Sequence, residues 1–299
     1  MILNLSKALV YTAVISLLLT PIDFKLAKKI GAIDTPNDNR RMHTKPIPRI
    51  GGISIFAAFL IACLWFSKEI TPDIIAFLSG ASIIISLGII DDSLSLSAKS
   101  KLLFQLAAAS ASVFTAYDGG VFSKILSVLW LVALTNAHNF IDGLNGLCAG
   151  ISINEAAAIG VVLLLSGRVT PAITAFALCG ACIGFLPYNA GKAKIFMGDT
   201  GSNFLGFTLG FLSLYIEKDL SVIALIFVIL LIFSVPLTDM FFAITRRLIH
   251  GKSPFAPDRS HIHHILADSP LGHLRASLVL RIISFLCALM GITAFAIFT

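Results

Sequence analysis

The sequence is poor in charged residues. Asp, Glu, Lys and Arg make up only 13% of its 299 residues, whereas apolar residues make up 57%. Ordinary soluble domains carry about a quarter charged residues, so the composition predicts an integral membrane protein. At about 20 residues a helix, ten transmembrane helices would leave roughly 100 residues for every loop. We therefore expect a single membrane domain over residues 1–299 and no additional soluble domain of ordinary size.

Cysteines are also scarce, and all five lie in or beside apolar runs rather than in polar loops. This placement argues against a disulfide framework. Cys179 and Cys182 form a CxxC pattern, but it stands inside AFALCGACIGF. Small residues in such a run favour close packing between membrane helices, so we interpret the pattern as structural.

Ten apolar runs predict an all-α, polytopic fold of about ten transmembrane helices. The runs lie near residues 3–22, 50–66, 74–90, 102–116, 122–137, 147–165, 170–187, 202–216, 220–245 and 276–298. If they alternate across the bilayer, 17 of the 22 Lys and Arg residues fall on the face of the odd-numbered connections. Basic loops stay in the cytoplasm, which predicts that both termini lie outside. These loops also account for the net charge of +6, so no nucleic-acid partner is expected.

The third run ends in two adjacent carboxylates, Asp91 and Asp92. They stand at the carboxyl end of a predicted helix, where the helix dipole is already negative. A cation should compensate them, either Lys99 and Lys101 a few residues on or a bound divalent ion. A solvated helix exit is the alternative if the pair acts alone.

The next cytoplasmic connection, TNAHNFIDGLNGLCAG, is rich in amides and glycines. Asn139, Asp142 and Asn145 recur every three residues, so a helical turn would place them on roughly one face. Helix capping explains one such residue better than three. The pattern therefore indicates a binding site.

The connection after the seventh run reads PYNAGKAKIFMGDTGSNFLG and supplies Asn189, Phe196 and Asp199. A glycine-rich segment at the start of a helix is a ready phosphate site, since its N–H groups are free. A carboxylate such as Asp199 is suited to a Mg²⁺ ion that bridges phosphates. A simple helix cap is the alternative for Asp199.

The long connection after the ninth run contains SPFAPDRSHIHHIL, which brings Arg259, His261, His263 and His264 together. Clustered histidines with an arginine suit either a transition metal or a phosphate-rich substrate. Together, the four connections place carboxylates, amides and cationic side chains at one predicted level, the cytoplasmic surface of the membrane. This arrangement favours a metal and pyrophosphate site there.

These four motifs, in this order, resemble the polyprenyl-phosphate N-acetylhexosamine-1-phosphate transferases over essentially the whole chain. That family includes the peptidoglycan translocase and the WecA-type enzymes that begin O-antigen, common-antigen and teichoic-acid linkage synthesis. The resemblance implies transfer of a sugar 1-phosphate from a UDP-N-acetylhexosamine to undecaprenyl phosphate, with release of UMP, in the bacterial cytoplasmic membrane. A homodimer is one candidate assembly. The HIHH spelling resembles the WecA-type branch, which favours a simple HexNAc.

The resemblance also implies roles for individual residues. Mg²⁺ or Mn²⁺ would be held by Asn139 and Asp199, Asp91 would act as the base that prepares the lipid phosphate, and Asp92 and Asp142 would hold and polarise the site. Phe196 would stack on the uracil and Asn145 would read its edge. Contacts to phosphates or sugar are implied for Lys101, Arg259, His261, His263 and His264, and Asn189 is a further candidate for substrate binding. Many bacterial members have Asp where this chain has Asn145, which puts a catalytic role at that position in doubt.

Two alternatives remain at this point. The peptidoglycan translocase is a second reading within the family, and a transporter or lipid flippase is a reading from another class. A transporter should place polar groups on broken helices near the bilayer midplane, and apart from Glu155 the runs look nearly free of charge. For Glu155, which lies inside the sixth run, we predict a structural hydrogen bond, because a carboxylate in a membrane helix needs a partner.

Overall fold

The computed structural model describes residues 2–36, 45–66, 71–216, 220–253 and 261–299. These residues are almost entirely helical. The helices are α1 Ile2–Ile30, α2 Gly52–Phe66, α3 Pro72–Leu94, α4 Ala98–Ala116, α5 Val121–Ile141, α6 Leu147–Leu165, α7 Val169–Asn189, α8 Gly198–Ser213, α9 Val222–Ile232, α10 Ser234–Ile249, α11 Ile262–Asp268 and α12 Gly272–Phe298. Two short strands, β1 Ile33–Asp34 and β2 Ile47–Pro48, pair antiparallel with Ile33 opposite Pro48. The all-α prediction is therefore confirmed, apart from this short ladder.

Each predicted apolar run corresponds to helical structure, and the chain is a multi-pass membrane protein. Within the described ranges, six helices are long and apolar enough to cross a bilayer, namely α1, α3, α5, α6, α7 and α12. Helices α2 and α8 have 15 and 16 residues, fewer than the roughly 20 that a straight span needs.

The sequence analysis predicted one transmembrane helix for the run 220–245, but the structure shows two helices there. Helices α9 and α10 meet at an angle of 88°. Pro236 lies in the first turn of α10, and a proline ring clashes with the carbonyl group four residues earlier. That carbonyl belongs to Ile232, the last residue of α9. The bend therefore has a local cause that was visible in the sequence.

Helix α8 lies at the centre of the fold. Every residue from Thr200 to Ser213 is buried, as expected for a helix that is enclosed on all sides. Glycines on two neighbouring helices permit the close approach, because a Cβ at Gly52 of α2 or at Gly88 of α3 would collide with the α8 backbone. The first turn of α8, which carries Asp199, is thereby held between α2 and α3.

Helix α7 packs on α1 through small residues. A Cβ at Gly180 or Gly184 would collide with carbonyl oxygens of α1, which is the close approach that small residues allow in membrane proteins. Cys179 and Cys182 lie buried beside these glycines. The structural interpretation of the CxxC pattern agrees with this packing.

Glu155 has the hydrogen-bonding partner that the sequence analysis predicted. Its Oε2 lies 2.7 Å from Nε2 of His138 on α5, and both side chains are completely buried. The other ring nitrogen of His138 lies 3.0 Å from the Leu134 carbonyl oxygen. This pair joins α5 to α6 one residue before Asn139.

Candidate active site

Polar side chains from four helices converge where α3 and α5 end and where α4 and α8 begin. The helix ends contribute Asp91 and Asp92 of α3, Lys101 of α4, Asn139 of α5, Asp142 directly after α5, and Asp199 and Thr200 of α8. The sequence analysis predicted most of these residues from separate motifs. The fold brings them into one cluster.

Lys101 is the cation that compensates the carboxylates. Its Nζ lies 3.1 Å from Oδ2 of Asp91 and 2.6 Å from Oδ2 of Asp199. Burial alone would raise the pKa of Asp199, but the Lys101 charge, together with hydrogen bonds from Asp91, Lys101 and Asn139, lowers that pKa overall. Burial likewise opposes the charge of Lys101, yet the Asp199 carboxylate raises the pKa of Lys101. Each partner therefore favours the charged form of the other.

Asp92 binds the first turn of α8. Its Oδ1 accepts from the Asp199 N–H at 3.1 Å, and its Oδ2 accepts from the N–H of Thr200 at 3.0 Å and from its Oγ1 at 2.7 Å. Arg49, from the segment before α2, donates from Nε to Oδ1 of Asp92 at 3.2 Å. Asp92 thus joins α3, α8 and that segment, which agrees with the role of holding the site.

This geometry corrects one prediction. The N–H groups at the start of α8 are not free for phosphate, because Asp92 accepts two of them and Asp142 accepts the one from Gly198. Carboxylates satisfy the helix start as caps do. The cationic side chains around the cluster are therefore better placed than the glycine-rich backbone to bind a phosphate.

Asn139 and Asp142 face Asp199 from the end of α5. The Asn139 side chain hydrogen-bonds the Asp199 carboxylate, and its Nδ2 also donates to Oγ of Ser202 at 3.2 Å. Burial, followed by the negative charges of Asp199 and Asp92, raises the pKa of Asp142 well above its ordinary value. The site therefore holds more carboxylates than one lysine and one arginine neutralise.

Asn145 does not share a helical face with Asn139 and Asp142, because α5 ends at Ile141. Asn145 donates from Nδ2 to the Gly191 carbonyl at 2.8 Å. Asn189 uses both ends of its amide, accepting from the Gly146 N–H and donating to the Ile195 carbonyl, each at 3.0 Å. These two amides connect the loop after α5 to the loop after α7, which favours a structural role for Asn189 over the predicted substrate contact.

Phe196 lies in the loop before α8, where its backbone pairs with the segment before α2. Its N–H donates to the Pro48 carbonyl at 2.8 Å and its carbonyl accepts from the Gly51 N–H at 3.0 Å. The side chain is partly exposed. Stacking of this ring on a uracil stays a prediction.

The histidines of the fourth motif lie beside the carboxylate cluster. His263 is buried against Gly143, where a Cβ would collide with its imidazole, and Gly143 follows Asp142 in the chain. Burial lowers the pKa of His263 to about 3. The rings of His263 and His264 are 4.3 Å apart between centroids. Arg259, which was predicted with them, lies outside the described residues.

Three functional candidates were missed from the sequence. Arg49 was counted only as one of many basic loop residues, and Arg247 likewise. Asp239 lies in the apolar run 220–245, so the statement that the runs carry little charge apart from Glu155 was wrong. A lone carboxylate in such a run is a signal of function and would have identified it.

Comparison with known proteins decides the family. The sequence pattern of glycosyl transferase family 4 matches residues 74–217. A probable undecaprenyl-phosphate N-acetylglucosaminyl 1-phosphate transferase of Bacillus subtilis (strain 168) is 40% identical over 291 residues, which covers 92% of this chain and 81% of the relative. The chain belongs to glycosyl transferase family 4. The resemblance inferred from the motifs is thus confirmed.

Two further transferases are similar to this chain over most of their length. An undecaprenyl-phosphate alpha-N-acetylglucosaminyl 1-phosphate transferase of Yersinia pestis is 31% identical over 97% of this chain and 84% of the relative. A decaprenyl-phosphate N-acetylglucosaminephosphotransferase of Mycobacterium tuberculosis (strain ATCC 25618 / H37Rv) is 36% identical over 85% of this chain and 74% of the relative. The family match contains the whole carboxylate cluster, whereas the histidine segment follows it.

Proposed function

We propose that the enzyme transfers a HexNAc 1-phosphate from a UDP-HexNAc to undecaprenyl phosphate, and that the sugar is N-acetylglucosamine. The observation that carries the proposal is the cluster at the start of α8, in which Asp91, Asp199 and Lys101 are in direct contact. The names of the relatives from three bacteria support the lipid acceptor and the sugar. The product would be a polyprenyl-diphosphate-linked sugar that starts a cell-envelope glycan.

We propose Mg²⁺, with Mn²⁺ as a substitute, as the cofactor. The Asp199 carboxylate and the Asn139 amide adjoin each other, with the amide N–H₂ group facing the carboxylate. The residues fit such an ion once the amide turns to present its Oδ1, since hard divalent ions prefer oxygen ligands. Asp199 and Asn139 would hold the ion. When bound, it would neutralise charge on the pyrophosphate of the sugar nucleotide.

The reaction that we propose forms one P–O bond and breaks another. An oxygen of the lipid phosphate attacks the β-phosphorus of the UDP-sugar, and the bond from that phosphorus to the oxygen that links it to the α-phosphate breaks, so UMP leaves. Asp91 would take any proton left on the lipid phosphate. Lys101 would offset the negative charge of two anionic reactants as they approach. Direct attack is preferred over an aspartyl intermediate.

An apolar cavity of about 320 Å³ adjoins the histidine segment. Its lining includes Ile141 of α5, Leu280 and Ile283 of α12, and the polar pair Asp239 and His263. A cavity with apolar walls and a few polar groups at one side suits an amphiphile. We propose that the first isoprene units of the acceptor lie there, with the phosphate toward the carboxylate cluster.

We further propose that the ten apolar runs all lie in the bilayer, with both termini outside and the site at the cytoplasmic surface of a bacterial cytoplasmic membrane. The distribution of Lys and Arg supports this orientation. The short helix α8 is buried from Thr200 to Ser213, so the protein itself covers it on all sides.

The alternatives have less support. A peptidoglycan translocase would act on a MurNAc-pentapeptide nucleotide, but the relatives reported above are named for N-acetylglucosamine. A transporter would place its polar groups at the membrane midplane, whereas the charged cluster here forms at helix ends.

The proposal is tested by UMP release. Purified enzyme in detergent is supplied with undecaprenyl phosphate, Mg²⁺ and one UDP-sugar at a time. We expect release with UDP-N-acetylglucosamine, dependence on the metal, and loss of activity in Asp199→Asn. Release with UDP-MurNAc-pentapeptide alone would replace the proposed substrate, and no release with any sugar from folded enzyme would refute the function.

A further inference from the structure

A buried aspartate on α10 binds the histidine segment through both of its carboxylate oxygens. Asp239 is 2% exposed. Its Oδ1 accepts from the Ile262 N–H at 2.7 Å, and its Oδ2 lies 2.8 Å from Nδ1 of His261. His263 Nδ1 is 3.8 Å from the same oxygen, which is too far for a hydrogen bond. Asp239 therefore holds His261 and the start of α11 together.

The two neighbours of the His261 ring select one tautomer. A carboxylate can only accept, so Nδ1 must carry the proton that faces Asp239. Nε2 faces Nη2 of Arg247 at 3.5 Å, and a guanidinium group can only donate. The Nδ1–H tautomer satisfies both neighbours. A proton on Nε2 would instead face the Arg247 donor and leave Nδ1, an acceptor, facing the carboxylate.

This arrangement reaches the carboxylate cluster through α5. The His261 ring meets the Phe140 ring edge to face at 5.3 Å between centroids, and the Arg247 guanidinium lies 5.2 Å above the same Phe140 ring. On the next part of α11, His263 packs against Gly143, which adjoins Asp142. The end of α5 and the start of α11 are therefore in contact at two points.

We infer that Asp239 is a positioning residue, which sets the tautomer and the direction of His261 and thereby orients the histidine segment toward the substrate phosphates. The inference rests on the proposed function, since it assigns the segment to the same reaction. Aspartates that orient a functional histidine through Nδ1 act in this way in other enzymes. Both oxygens of the carboxylate are bound by imidazole and backbone, although Asp239 also lines the cavity proposed for the lipid chain.

The decisive variant is Asp239→Asn, which keeps the shape and loses one acceptor. The Ile262 N–H cannot change its role, so the amide oxygen stays with it and the amide N–H₂ group faces His261. We expect the His261 proton to move to Nε2. Loss of a hydrogen bond to a charged group corresponds to about a 10- to 100-fold change, which we expect in kcat/KM for UMP release.

Two matched variants separate this role from helix capping. Ile262→Pro removes the backbone donor at the first residue of α11, where proline is tolerated, and it also shortens a side chain that lines the apolar cavity, so its readout is the tautomer rather than activity. His261 already has the extended backbone, at φ −62° and ψ 149°, that precedes proline. It should keep the Nδ1–H tautomer. Asp268→Asn removes an exposed carboxylate from the same helix and should leave kcat/KM unchanged.

The tautomer is read by ¹⁵N NMR of histidine-labelled enzyme, with His261→Asn identifying the signal. If His261 in Asp239→Asn keeps the tautomer of the parent enzyme, the inference is overturned whether or not activity falls. An unchanged kcat/KM in Asp239→Asn would overturn it as well. If the parent enzyme releases no UMP, the proposed function fails, but the NMR result still decides the tautomer. The spectrum of added Co²⁺ is a further check, because absorption bands that disappear in Asp239→Asn would show that Asp239, His261 and His263 form a metal site instead.

Discussion

The contacts of Asp92 make a quantitative prediction about the stability of the site. Four donors converge on its two oxygens, from Arg49, from the backbone of Asp199 and Thr200, and from the Thr200 hydroxyl. In Asp92→Asn one oxygen becomes an N–H₂ group. The Thr200 hydroxyl can turn to accept from that group, and the Arg49 side chain is partly exposed. Either orientation of the amide therefore leaves at least one backbone N–H, that of Asp199 or that of Thr200, facing another donor.

The expected cost follows from the burial of these groups. The Asp92 side chain is 1% exposed, so water cannot replace the lost acceptor. A buried donor without a partner costs about 1–3 kcal/mol. At about 2–4 °C per kcal/mol for a chain of this order of size, the melting midpoint should fall by about 2–12 °C. Activity should fall as well, because α8 carries Asp199.

The measurement is the thermal midpoint in detergent, followed by tryptophan fluorescence at a fixed scan rate. Asp73→Asn is the control, since it removes an exposed carboxylate from the first turn of α3 and should shift the midpoint by no more than about 2 °C. Thr200→Val removes one donor, and its effect should shrink in the Asp92→Asn background, since the two groups are in contact. An Asp92→Asn enzyme with the midpoint and activity of Asp73→Asn would refute the reasoning.

Three further predictions concern the cluster and its supports. Lys101→Met should reduce kcat by at least about 100-fold, because it leaves the Asp91 and Asp199 carboxylates without their cation. The exposed Lys99 is the control, and Lys99→Met should remain active in the same UMP assay. Glu155→Ala should lower the free energy of unfolding by about 3 kcal/mol, because it leaves the buried His138 imidazole unpaired. Glu155→Gln keeps an acceptor and should stay active. A stable but inactive Gln variant would contradict the structural role. Gly143→Ala should displace the His263 ring that packs on it and reduce kcat/KM about tenfold or more. Gly120→Ala is the control, since the structure shows open space there. Equal activity of the two variants would show that the ring position is unimportant.

The local signals in the sequence predicted much of the site. Asp91, Asp92, Asn139, Asp142 and Asp199 were named from three motifs, and the fold brings them together. Lys101 was named as a compensating cation and pairs with two of these carboxylates. Such predictions succeed because helix ends and apolar runs can be recognised within about 20 residues of sequence.

Other parts of the prediction failed because they depended on distant contacts. The start of α8 looked like a phosphate site until α3 supplied the carboxylate that occupies its N–H groups. Asn189 was predicted as a substrate ligand, which stays a prediction, but both ends of its amide are bound to backbone. The local sequence is the same whether or not an N–H group finds a partner elsewhere in the chain.

The sequence by itself determined the membrane class, the order of the helices and the family, because burying backbone in a bilayer demands long apolar helices and because the motifs keep their order. Only the tertiary structure decided which charges meet. Asp92 and Thr200 are 108 positions apart, and Asp239 and His261 are 22 apart across a segment that joins two helices. Those pairs depend on how α3 packs on α8 and how α10 packs on α11, and packing is set by the whole set of helices rather than by any one segment.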